Sequence, residues 1–151
     1  MKRFFSKETY QFIEAKLHSY EENKRRIEEW ELSVRYPERK QSVPGAGYIS
    51  DPTANQAIKL VDPPKHIRRL MRWQRLIEKT QEYCRQNQNN IFDIWYGKPR
   101  QTITQAFTKN GIEKKTFENR RDSAVYFLLF HAIDAGLCRL NNTIKEDNAA
   151  L

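Results

Sequence analysis

Glycine and proline are scarce in this 151-residue chain, with 5 and 6 in all, and long stretches contain neither. That scarcity favours helices. Cysteine is scarcer still. Cys84 and Cys138 are the only two, and neither has a neighbour at CxxC spacing. His18, His66 and His131 are scattered, so no zinc-ligand pattern forms. Two lone thiols suit a reducing cytosol better than a disulfide scaffold. Long apolar runs are missing as well: the longest near-apolar stretch, 124–133, is too short for a bilayer span. The first seven residues, MKRFFSK, lack the apolar core of a secretory signal. No Ser-His-Asp arrangement, glycine-rich phosphate loop or paired-carboxylate motif in an apolar helical context is present. The chain is therefore expected to be no enzyme, to bind no metal or cofactor, and to sit in the cytoplasm away from membranes.

Acidic residues are thin in one region only. Residues 63–121 carry 5 Asp/Glu against 14 Lys/Arg, whereas residues 1–62 carry 10 against 11 and residues 122–151 carry 4 against 2. The net charge of +8 is thus concentrated in the middle of the chain. A concentrated positive field attracts phosphate backbones and makes binding salt-sensitive.

What fills that region is the most informative stretch, residues 102–121, TITQAFTKNGIEKKTFENRR. It reads as a helix, a glycine turn and a second helix. Thr102 and Gln105 fit a capping box, each side chain reaching the other's orphan amide. Ile103, Ala106 and Phe107 share one face. Gly111 stands where the chain turns sharply and a residue without Cβ enters positive φ without steric cost. Lys114, Lys115, Thr116, Glu118, Asn119, Arg120 and Arg121 crowd the next helix start. A DNA recognition helix places its N-terminal residues against base edges. Lys and Arg suit guanine there, and Asn suits adenine. The candidate DNA-contacting set is these seven residues with Thr102 and Lys109. The alternative is a surface helical hairpin with a solvated basic face.

The expected architecture is all-α: a long N-terminal helix and a helical hairpin, followed by a C-terminal helix-turn-helix domain. Residues 1–36 form the first part, one helix from Ser6 to about Tyr36. Tyr10, Ile13, Leu17, Tyr20, Ile27, Trp30 and Val34 make a heptad-like seam that Lys24 and Glu31 interrupt. Packing within the chain and a dimeric coiled coil both fit that seam. Residues 37–50 are a Pro/Gly loop. Residues 51–88 form a connector, with Asp51-Pro52 starting a short helix to Val61 and a helix from Pro64 to Arg85. That helix has an apolar side (Ile67, Leu70, Met71, Trp73, Ile77, Cys84) and a cationic stripe of Lys65, Arg68, Arg69, Arg72, Arg75 and Lys79. The stripe is a candidate for phosphate contact, along with Lys98 and Arg100; solvation, or pairing with Glu21, Glu22, Glu28 and Glu29, is the alternative. Residues 89–137 form the helix-turn-helix domain. Its aromatic cluster at Phe92 and Trp95 reads as core rather than a base-stacking platform. The last helix spans 113–135 before Gly136, and its half from Ala124 to Ile133 is apolar nearly all round, as in a buried helix. Residues 138–151 are a polar tail.

Three segments carry a family likeness. The opening ETYQFIEAKLHSYEENK (8–24), the SDPTANQAIKL segment (50–60) and the arginine-rich TFENRRDSAVY (116–126) resemble RinA-type phage transcriptional regulators. Those regulators have a DNA-binding region like region four of bacterial sigma factors. The resemblance covers roughly residues 6–137. It implies activation of phage or prophage late genes through binding of double-stranded DNA; host RNA polymerase is a candidate second partner, and the heptad-like seam and the apolar last helix make a homodimer a candidate assembly. The sigma-like pattern maps without gaps onto residues 102–125, with Ile103, Ala106, Ile112, Phe117 and Ala124 at apolar positions. The chain departs from it at Asn110 and Arg120, where the pattern has apolar residues. Two rivals stand beside this reading: a DNA-packaging protein like a small terminase subunit, and an RNA-polymerase-docking adaptor that reads no DNA.

Overall fold

The computed structural model describes residues 5–36, 57–58, 60–98 and 101–139. The fold is all-α, and no strand occurs among the described residues. The helices are α1 (Lys7–His18), α2 (Tyr20–Arg35), α3 (Lys65–Gln86), a π-helical segment (Phe92–Tyr96), α4 (Ile103–Lys109) and α5 (Lys114–Asp134). The loop expected at 37–50, the Asp51-Pro52 helix start, Arg100 and the tail beyond Arg139 lie outside the described residues.

The single long helix expected from Ser6 to Tyr36 is two helices. Ser6 caps α1, its Oγ accepting from the Thr9 amide at 3.1 Å. Ser19 ends it: the Ser19 hydroxyl donates to the Lys16 carbonyl at 2.9 Å. Serine competes in this way with the helical ladder, an effect that apolar periodicity does not register.

The chain divides into two compact units, one formed by residues up to Glu21 and from Trp73 onward, the other by Glu22–Arg72. This differs from the expected division, in which residues 1–36 stand apart. The first helix belongs with the C-terminal helices.

In the first unit α1 packs on α5, and both the π segment and α5 pack on α4. Tyr10, Ile13 and Leu17 of α1 are buried with Phe117, Ala124, Val125, Leu128, Leu129 and Ala132 of α5. Trp73, Ile77 and Cys84 of α3 join them. Trp95 of the π segment meets Phe117 edge-on at 5.6 Å, and Tyr83 stacks on Phe127 at 4.2 Å. The aromatic cluster is core, as its composition suggests. Gly97 closes the π segment, its N–H donating to the Phe92 carbonyl at 2.7 Å. A Cβ there would lie 2.7 Å from that same oxygen. Both cysteines are free and buried, and burial pushes the Cys84 thiol up to about 11.

In the second unit, Arg25 pairs with Glu22 and Glu29 along α2, at i,i+3 and i,i+4 spacing. Such exposed pairs contribute little stability. Val34 and Asn23 are buried.

The apolar half of α5 is the centre of the first unit, with Leu128 and Leu129 fully buried. Leu128→Ala is expected to lower unfolding free energy by about 2–5 kcal/mol, by lost transfer energy plus a cavity. Urea unfolding followed by circular dichroism measures this. A change under about 0.5 kcal/mol, the size typical of surface sites, contradicts the packing.

Candidate nucleic-acid interface

α4 begins with the capping box expected from sequence. The Gln105 amide donates to Thr102 Oγ1 at 3.1 Å, and the Thr102 amide donates to Gln105 Oε1 at 3.0 Å. α4 ends in a Schellman turn: Ile112 N–H donates to the Phe107 carbonyl at 3.1 Å, and Gly111 takes φ +64°. Asn110, the departure from the sigma-like pattern, fits here without an apolar partner. Its Nδ2 donates to the Ala106 carbonyl at 2.7 Å, in the last turn of the helix. Ala106 and Phe117 are fully buried, with Phe107 and Ile112 against them. These contacts hold the start of α5 at a fixed angle to α4.

The first turns of α5 present Lys114, Lys115, Glu118 and Asn119 exposed, with Thr116 half-buried. Glu113 precedes the helix without a side-chain cap. The positive end of the helix dipole thus lies beside two lysines, with Glu113 and Glu118 among them. Lys109 is exposed in the last turn of α4, where a cation suits the negative helix end. Thr102 is exposed, its hydroxyl engaged as the cap.

Two residues of the expected set face elsewhere. Arg121 makes a bidentate pair with Glu14 of α1, its Nε and Nη2 on the two carboxylate oxygens. The Tyr96 hydroxyl donates to the same carboxylate at 2.9 Å. The Arg121 guanidinium also lies 5.4 Å from the Tyr10 ring centroid, and the Tyr10 hydroxyl donates to Asp122 at 2.6 Å. The hydrogen bond to Glu14 raises the Arg121 pKa, and burial raises those of Tyr10 and Tyr96. Arg120 is half-buried: its Nη1 donates to Asn90 Oδ1 at 2.6 Å, and its carbonyl accepts from Asn89 Nδ2 at 2.9 Å. Both arginines tie elements together, so neither is a free base reader. At about 100° per residue Arg121 shares a face with buried Phe117, Ala124 and Leu128. The opposite face holds Lys115, Asn119 and Ser123, all exposed. Ser123 escaped the sequence-based set; the i,i+4 spacing from Asn119 is the signal that finds it.

All six cations of the α3 stripe are exposed. Lys65, Arg68, Arg69 and Arg72 fall in the second unit, and Arg75 and Lys79 in the first. Arg68 lies 3.7 Å from Asp62. Two of the acids considered as partners for the stripe, Glu22 and Glu29, pair with Arg25 instead. Lys98 is exposed at the end of the π segment. Among the described residues no three His, Cys, Asp or Glu side chains gather as a metal site, and no helix is long and apolar enough to cross a membrane.

Comparison with protein-family models, with curated proteins and with solved structures found no match to this chain.

Breaking the Glu14–Arg121 pair leaves a largely buried charge without its partner. Glu14→Gln is expected to cost about 2–4 kcal/mol of stability, read by urea unfolding; a loss below about 0.5 kcal/mol places the pair among ordinary surface pairs.

His18 gives a pH signature. Its ring lies 4.8 Å from Tyr96 and 5.3 Å from Trp95; the residue is still exposed, and the partial desolvation by these rings, opposed by Glu14, lowers its pKa. The unfolded chain then binds the proton more readily than the folded one. His18 therefore costs no stability above its ordinary pKa of about 6.5, and stability falls as pH drops through that value toward the lowered folded pKa. The difference in melting temperature between wild type and His18→Gln should change between about pH 7.5 and 5. A constant difference refutes the assignment.

Proposed function

We propose that this chain is a sequence-specific double-stranded-DNA-binding protein that regulates transcription, with α5 as its reading helix in a helix-turn-helix formed with α4. The observation that carries this reading is the exposed set Lys114, Lys115 and Asn119 at the start of a helix whose opposite face is locked into a core. The major groove, about 12 Å wide, admits such a helix. Lys114 and Lys115 offer charge to guanine edges and phosphates, Asn119 a donor–acceptor pair to adenine, and Glu118 an acceptor to the cytosine amino group. Thr116 and Thr102 sit beside them as further hydrogen-bonding groups. Lys109 and Lys98 are candidates for flanking phosphates. The excess of cations over residues 63–121 supplies the long-range attraction.

The sequence likeness to RinA-type regulators gives the setting of the proposal: activation of phage or prophage late genes in a bacterial cytoplasm, with host RNA polymerase as a second partner. A packaging role predicts a ring-forming oligomer by light scattering, and a pure polymerase adaptor predicts no retention of duplex DNA at low salt.

Binding-site selection from randomised duplexes tests the reading. The full chain is expected to enrich a defined motif. Asn119→Ala should cost about 1–3 kcal/mol on that motif and relax the choice at one position. Lys114→Ala and Lys115→Ala should each reduce the slope of log affinity against log salt by about one where they touch phosphate. Absence of any enriched motif refutes the proposal, and equal weakening of all duplexes by Asn119→Ala removes that residue from the readers.

A further inference from the structure

Three helices of the first unit end in the same way. After α4, Gly111 is left-handed and the next amide donates back to the Phe107 carbonyl; after α5, Gly136 takes φ +75° and Leu137 N–H donates to the Ala132 carbonyl at 2.8 Å. After α3 the pattern repeats: Asn89 N–H donates to the Cys84 carbonyl at 2.8 Å, and Gln88 N–H to the Arg85 carbonyl at 3.3 Å. The left-handed residue there is Gln88, with φ +56°, the only non-glycine residue at positive φ among those described. Glycine suits this position far better, because a Cβ crowds the following carbonyl. An L residue held in a disfavoured backbone region points to a use for its side chain.

The surroundings of Gln88 suggest that use. Gln88 lines an open groove of about 440 Å³ with Asn87, Asn89, Asn119, Arg120 and Ser123. Asn89 is committed to structure. Its Nδ2 donates to the Arg120 carbonyl and its Oδ1 accepts from the Ile91 amide at 3.0 Å, which holds the turn against α5. Gln88, Asn119 and Ser123 make no side-chain hydrogen bond among the described residues. The one cation in the groove, Arg120, is already bonded to Asn90. Asn87 donates to the Tyr83 carbonyl, so the groove offers the neutral amides of Gln88 and Asn119, each a donor and an acceptor side by side. A phosphate, which carries acceptors alone, matches that poorly. The major-groove edge of adenine, with its N6 amino group next to N7, matches it well.

We propose that Gln88 is a second base-reading residue, carried outside α5, and that the groove it shares with Asn119 takes the edge of an adenine–thymine pair next to the one read by Asn119. The inference rests on α5 being the DNA-reading helix. The Asn89 bonds hold the backbone of the turn against α5, so the Gln88 side chain starts from a fixed point beside Asn119 and the two can reach neighbouring positions of the site.

Gln88→Gly separates this role from the turn. Glycine relieves the left-handed strain, so the melting temperature should rise by about 2–4 °C. Affinity for the selected duplex should fall about tenfold, and the preference for adenine should vanish at one position while the rest of the motif persists. Gln88→Asn keeps an amide and tolerates positive φ, and should retain part of that preference. A Gln88→Gly variant with unchanged motif and affinity overturns the inference, as does an equal loss on every sequence, which marks a backbone contact. If the motif depends on Asn119 and Lys114 but not on Gln88, the inference alone falls. If the wild-type chain enriches no motif, the DNA-reading function falls and the inference with it.

Discussion

A carboxylate near the start of the chain and a guanidinium 107 residues later set the geometry of the first unit. The Glu14–Arg121 pair, with Tyr96 on the same carboxylate, joins α1, the π segment and α5 at one point. Its directional bonds add to the apolar packing of Phe117, Ala124 and Leu128 in holding the rotation of α5 about its own axis. With Arg121 turned inward, Lys115, Asn119 and Ser123 must turn outward, because the helix advances about 100° per residue. A buried ion pair is weak evidence for stability, since desolvation opposes the Coulomb gain. Its contribution here is orientation: it reinforces the facing of α5 that the buried Phe117, Ala124 and Leu128 already impose.

Cation chemistry follows the same division. The two arginines of α5, at 120 and 121, are engaged with protein groups, while the lysines at its start are exposed. A planar fork suits a carboxylate or an amide oxygen in a confined place, and a compact, strongly hydrated ammonium suits the surface. The asparagines divide likewise. Asn89 and Asn90 bind Arg120, Asn110 closes α4, and Asn119 stays in solvent. The proposed reading surface is thus the remainder after the structural roles of the neighbouring polar residues are met.

The expectations that held are those with a local cause. The Thr102–Gln105 box, the left-handed glycines at 111 and 136, the bounds of α3 and α5 to within a residue or two, and the apolar burial around Leu128 all depend on residues a few positions apart. Such signals survive in a bare sequence because backbone capping and helical periodicity act over one or two turns. The all-α class follows from them.

Tertiary structure decided the rest. Seven residues near the start of α5 read alike as polar and reachable; helical phase puts Arg121 on the face of Phe117 and Ala124, but only the fold brings Glu14 there to partner it, and only the turn at Asn89 and Asn90 claims Arg120. Grouping α1 with the C-terminal helices depends on contacts between the two ends of the chain, for which periodicity carries no register. Gln88 follows the helix expected to end at Arg85 and carries no signal of its own in the sequence; its left-handed conformation comes from bonds of the turn to Cys84 and Arg85. Sequence determined where helices start and stop, since those choices are settled within a turn. Which polar side chains remain for a partner was settled by folding, because a side chain is free only after distant groups have taken theirs.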